Sequence, residues 1–114
     1  MVLAHVPIAP GSAQDVCLAW NYTEVLEVMD EHPLTVAAVF TGHDHAGGKA
    51  TRNGVHFVTL PSPLHAGPEV GGLAHSTVAV HADRLVLYNK GFVAKQLGGE
   101  VVNLPFPTSA PSKL

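Results

Sequence analysis

Charge is what this chain has least of. Among 114 residues six are Lys or Arg and nine are Asp or Glu, so the net charge is only -3. A phosphate-backbone binder normally clusters its cations on one face, and six scattered ones exclude nucleic acid as an expected partner. Long apolar runs are also lacking: none approaches the roughly 18 to 20 residues of a membrane span. The opening Met1-Val2-Leu3-Ala4-His5-Val6-Pro7 has neither the basic region nor the apolar length of a signal peptide. No membrane association is therefore expected. Cys17 is the single cysteine. An intrachain disulfide is excluded, and a reducing, cytoplasmic compartment is the expectation.

Against this scarcity of charge, 46% of the residues are hydrophobic. That composition suits the interior of one modest domain but provides little polar surface to cover it. Some apolar surface is expected to meet further protein, either more of the same domain or a second copy. Eight histidines among so few charged residues point toward metal or acid-base chemistry.

Residues 2–6 read as a short buried strand closed by Pro7. Asn21, with Glu24 three positions on, resembles a capping box. Tyr22, Val25, Leu26 and Met29 then share one face of a helix of about three turns that Pro33 stops. Residues 34–40 are apolar at nearly every position, as in a central strand covered on both faces. Arg52-Asn53-Gly54 signals a turn before a strand at 55–60. A Pro- and Gly-rich loop at 61–72 precedes two strands, about 76–81 and 84–89, read as a hairpin around Ala82-Asp83. Beyond Gly98-Gly99 the chain carries Pro105, Pro107 and Pro111 and is expected to lack regular structure.

The most informative stretch is Gly42-His43-Asp44-His45-Ala46-Gly47-Gly48. A strand that delivers His-x-His into a glycine-rich loop presents neutral nitrogen ligands suited to Mn, Fe or Zn. His5, at the end of the first strand, would lie beside the same loop if the two strands were parallel. The glycines would let the backbone turn tightly and approach a substrate.

With Trp20-Asn21-Tyr22-Thr23-Glu24-Val25-Leu26, His32-Pro33, Val55-His56-Phe57-Val58-Thr59-Leu60 and Asp83-Arg84-Leu85-Val86-Leu87 in order around that loop, the chain resembles the C-terminal part of calcineurin-like metallophosphoesterases. Within them it looks most like the manganese-dependent ADP-ribose/CDP-alcohol diphosphatase group, over roughly residues 2–90. The resemblance implies an α/β fold, the C-terminal portion of an α/β/β/α sandwich with a mixed sheet and few helices. Residues 1–97 would be a partial phosphoesterase domain and 98–114 a Pro-rich tail. It implies that His5 and His43 ligate one metal of a dinuclear pair and His45 the other, with Asp44 supporting the loop. The metals would be divalent, manganese first, with iron or zinc as alternatives. The substrate would be a phosphorylated small molecule or a nucleotide diphosphate.

The family's earlier motifs, Asp-x-His, Gly-Asp with its bridging Asp, and Gly-Asn-His, lie upstream of the part this chain resembles. None of them stands ahead of His5 here. The bridging carboxylate, the Asn ligand and the His that assists the leaving group are therefore not supplied, and no catalytic residue is assigned. Residues 61–72 also depart from the family's acidic segment.

His56, His65, His75 and His81 read as ordinary histidines, and His32 as a helix-end residue. Trp20 and Tyr22 read as packing at the start of the helix, with stacking on a nucleobase as the alternative. Cys17 reads as a buried small hydrophobe. Glu24, Glu27, Asp30 and Glu31 read as a solvated helix face. Two functions follow. One is a metallophosphoesterase segment, inactive by itself, that hydrolyses phosphoester or diphosphate bonds when the rest of the domain is supplied. The other is a non-catalytic remnant with a weak metal site that associates with a partner or with itself.

Overall fold

The apolar run before the histidine loop forms the centre of the architecture. Ala38, Val39, Phe40 and Thr41 make strand β2 (Ala38–Thr41), all four buried. In this computed structural model, which describes residues 1–108, β2 lies inside a four-stranded sheet. The order is β1 (Val2–Leu3), β2, β4 (Val55–Thr59), β3 (Gly48–Arg52). β1 and β4 run parallel to β2, whereas β3 is antiparallel to β4, so the sheet is mixed.

Alternation of side chains along β2 and β4 sets the layers. Val39 and Phe57 pack with Ala9 and Leu26 under helix α1 (Tyr22–Glu31). Ala38, Phe40 and Val58 point the other way, into a core shared with Leu85, Leu87, Val102 and Leu104. Those four come from a second, antiparallel sheet ordered β5 (Ala74–Val80), β6 (Arg84–Gly91), β7 (Val101–Pro105). Val93 and Leu97 of helix α2 (Phe92–Leu97) complete that core. The result is an α/β fold with a helix, a mixed sheet and a second sheet in successive layers. A central strand covered on both faces needs the unbroken apolar run seen in the sequence.

Several expectations change. The first strand is two residues long and exposed rather than buried, because β1 sits at the sheet edge with β2 as its one neighbour. Residues 34–37 stay outside β2: Leu34 follows Pro33 with a φ of 64° and is half exposed. Asn21 makes no side-chain cap, its backbone carbonyl instead accepting from the Glu24 and Val25 amides. The glycine-rich segment after Ala46 becomes β3. It turns into β4 through Asn53 and Gly54, both at positive φ as a tight hairpin requires.

The segment after Gly98-Gly99 is not irregular, for Val101–Pro105 pairs with β6 and buries Val102 and Leu104 on alternate positions. Pro105 ends an edge strand, where a missing N–H is tolerated; Pro111 lies outside the described residues. Trp20 does not pack at the helix start but is wholly exposed, whereas Tyr22 packs partly against the α1 core. Cys17 is half-buried. No helix among the described residues is long and apolar enough to cross a membrane.

Candidate metal centre

Parallel pairing of β1 and β2 brings His5 to the histidine loop. The ladder continues past both strands: Ala4 N–H donates to the Phe40 carbonyl at 3.0 Å, and Gly42 N–H donates to the His5 carbonyl at 2.9 Å. The His5 and His43 rings then meet edge to face, centroids 5.3 Å apart and planes 71° apart. His43 holds a φ of 66°, a left-handed conformation that few non-glycine residues adopt and that often marks a functional position.

Asp44, between the two histidines, turns inward and is buried. Its carboxylate accepts from Gln14 N–H at 2.8 Å and from Ala46 N–H at 3.1 Å, while its carbonyl accepts from Gly47 N–H at 3.0 Å. It therefore fixes the loop to the segment after β1. Gly47 and Gly48 are needed for the same compact path. A Cβ on Gly47 would stand 2.7 Å from the Thr59 carbonyl, and one on Gly48 would stand 2.7 Å from the Ser12 carbonyl. The close approach these glycines permit is to the chain itself rather than to a substrate.

The ring contact of His45 is with a different neighbour. Its ring meets His65 edge to face, with centroids 4.9 Å apart and planes 78° apart. The twenty-residue separation of His65 from His45 carries no spacing signal in the sequence. The contact is built by the backbone: Ser62 N–H donates to the His45 carbonyl at 2.9 Å, and the Ser62 hydroxyl accepts from Leu64 N–H at 3.1 Å, starting a 3-10 turn at Pro63–His65. Gln96 of α2 adds a further tie, its amide nitrogen donating to the Ala46 carbonyl at 2.9 Å.

The chemistry of these donors fits a divalent ion. Two imidazoles on one ion, each nitrogen about 2.1 Å from it and about 1.1 Å from its own ring centre, place their centroids roughly 4.5 to 5.2 Å apart for angles of about 90° to 110°. The His45 and His65 spacing of 4.9 Å falls in that window, and the His5 and His43 spacing of 5.3 Å stands at its upper edge. Two donors alone do not complete a coordination shell. Among the described residues no three His, Cys, Asp or Glu side chains form a group able to hold a metal. His5, His43 and His45 are thus not one three-ligand cluster.

Other residues are accounted for structurally. His56 joins the two sheets: its Nε2 lies 2.7 Å from the Pro105 carbonyl, which can only accept, so Nε2 carries the proton and Nδ1 faces the Thr51 hydroxyl at 3.3 Å. Asp30-Glu31-His32 has Asp-x-His spacing but lies at the end of α1. There Asp30 takes a two-pronged hydrogen bond from Arg52, at 2.6 and 2.7 Å, and another from Asn53 at 3.0 Å. Asp30 stays on the exposed face of α1 with Glu24, Glu27 and Glu31, but as a paired carboxylate. Hydrogen bonding from Arg52, with a smaller contribution from Asn53, holds its carboxyl below the ordinary carboxylate range.

No family model matches the chain. The chain is 37% identical over 93 residues to the manganese-dependent ADP-ribose/CDP-alcohol diphosphatase of Xenopus tropicalis, covering 81% of this chain and 26% of the relative. It is 38% identical over 88 residues to the protein of the same description from Oryza sativa subsp. japonica, covering 76% and 26% respectively. The chain therefore spans about a quarter of the length of these curated relatives. Among solved structures, a dimetal phosphatase from Danio rerio superimposes with a TM-score of 0.79 at 32% identity, over 92% of this chain and 32% of that one.

Proposed function

Because the chain resembles the C-terminal part of the calcineurin-like metallophosphoesterases, and among them the manganese-dependent ADP-ribose/CDP-alcohol diphosphatases, we propose that it contributes one side of a dinuclear metal centre that hydrolyses phosphoester or diphosphate bonds. ADP-ribose- or CDP-alcohol-like compounds are the substrate class, and manganese is the first choice of metal. The observation that carries this reading is the meeting of the His5 and His43 rings at the end of the parallel β1 and β2 pair, their 5.3 Å spacing at the upper edge of what two nitrogens on one ion allow.

In this proposal His5 and His43 hold one metal and His45 faces the other. A bound metal pair would supply an activated hydroxide and positive charge opposite the phosphoryl oxygens. The chain's own part is positioning. The continued β1 and β2 ladder places His5, the left-handed backbone at His43 aims its ring, and the buried Asp44 carboxylate keeps the loop from relaxing. The bridging carboxylate and the remaining ligands belong to a segment that pairs with this one, and without it the chain is inactive. A lone, half-buried Cys17 accords with work in a reducing cytoplasm.

The test is reconstitution. The chain mixed or fused with a segment bearing Asp-x-His, Gly-Asp and Gly-Asn-His should hydrolyse ADP-ribose with manganese, and His43→Ala in the same assembly should not. A folded assembly without turnover, or a His43→Ala variant that keeps it, would refute the proposal. A second reading is favoured by one observation, the full exposure of Trp20 together with Leu3 and Val16. It takes the chain as a non-catalytic remnant that self-associates. Dilution-dependent sedimentation with no activity in any assembly is its signature.

A further inference from the structure

We propose that His65 is a second imidazole ligand on the His45 side of the centre, so that this chain carries two separate two-histidine half-sites, His5 with His43 and His45 with His65. The inference rests on the metal-centre reading above and extends it to a residue that reading does not use.

Three features of the structure support the assignment. The His45 and His65 centroids, 4.9 Å apart, sit inside the range that two nitrogens on one ion dictate. The backbones of the two residues are tied, because His65 follows within one short turn of Ser62, whose amide is bonded to the carbonyl of His45 itself. The remaining acidic groups of this loop do not compete for the position: Glu69 lies near Lys95, 3.7 Å away, and Asp44 is turned inward onto backbone amides. A cation at His45 would therefore find His65 as the neighbouring side-chain donor that this chain offers.

Two nitrogens in place of one also address a shortfall in the site. A single imidazole holds a divalent ion weakly, and a second one on the same chain arrives without a further cost of association. With His65 included, each metal position receives two neutral nitrogen donors from this chain. The site is symmetric in donor number across the Asp44 backbone.

The experiment is a Zn²⁺ titration of the 114-residue chain, followed by ¹⁵N shifts of the imidazole nitrogens, with the amide spectrum reporting that the fold is kept. The expected result is that one ring nitrogen each of His45 and His65 shifts along a common binding curve, separate from that of His5 and His43. His65→Ala, an exposed position, should then weaken binding at His45 by at least the roughly tenfold that loss of even an outer partner of a ligand causes, and leave the His5 and His43 curve unchanged. A His45 response without one from His65, or His45 affinity unchanged in His65→Ala, would overturn this inference alone. Silence from His45 and His65 would overturn this inference, whereas the metal-centre reading stands or falls on the reconstitution.

Discussion

Asp44→Ala is the sharpest probe of how the histidine loop is held. The carboxylate accepts from Gln14 N–H at 2.8 Å and Ala46 N–H at 3.1 Å and is itself buried. Hydrogen bonds to a charged acceptor contribute about 1.5 to 3 kcal/mol each, but both are only partly buried, so water recovers a share when the side chain is removed. The expected net loss is about 2 to 3 kcal/mol, a substantial part of the 5 to 15 kcal/mol that stabilises an ordinary domain. In urea this should lower the unfolding midpoint by roughly 1 to 2 M with an unchanged slope. Amide hydrogen exchange should show Gln14 and Ala46 losing protection ahead of the rest of the sheet. Asp44→Asn keeps the shape but only one accepting oxygen, so one amide would face an NH₂ group and about half the loss should remain. An Asp44→Ala protein with wild-type midpoint and wild-type exchange at both amides would refute the argument that this residue fixes the loop.

Three other outcomes follow from packing and charge. Gly91→Ala should cost about 2 to 4 kcal/mol in urea unfolding, since Gly91 has φ 63° and ψ -127° and its added Cβ would collide with the Leu73 carbonyl; a neutral result would refute the backbone argument. Asn89→Leu should cost about 2 to 4 kcal/mol, because the fully buried amide accepts from the Ser76 hydroxyl at 2.7 Å and donates to the Gly99 carbonyl at 3.0 Å, and both partners would be left unsatisfied. The Asp30 carboxyl has a lowered folded value, so its pair with Arg52 stabilises the fold above the ordinary value of about 3.9 and is lost as pH falls through the lower folded one. Solvent screening at this exposed pair limits the effect to under about 1 kcal/mol. Asp30→Asn should remove that part of the acid limb, and identical acid unfolding curves would count against it.

The sequence made the fold legible where burial dictates composition. β2, β4 and the β5 and β6 hairpin follow from apolar runs and turn residues, and α1 from its periodic face. It failed where structure depends on tertiary partners. β3, as Gly-Lys-Ala-Thr-Arg, has no apolar alternation and exists because β4 offers an edge to pair with. α2 has six residues, too few for periodicity to register, and is held by Phe92, Val93 and Leu97 in the core. β7 was hidden by its prolines, although Val102 and Leu104 alternate correctly. At the candidate site, His43 and His45 stood out through their spacing, and a parallel strand pair sufficed to bring in His5. His65 and Gln96 reach the loop through turns and side-chain bonds formed far along the chain, and local pattern carries no trace of such contacts.

Two of those bonds join the histidine loop's sheet to the chain's last third: Gln96 to the Ala46 carbonyl, and His56 to the Pro105 carbonyl. Together they make the second sheet a brace rather than an appendage. The spacing of the imidazoles is then set partly by residues some fifty positions away in sequence, whose bonds span 50 and 49 residues respectively. In the proposed centre, substitutions in α2 or β7 should act as fine adjustments of metal affinity without touching a proposed ligand. Trimming the chain before Pro105 would remove the His56 tie and loosen the histidine loop's sheet from behind.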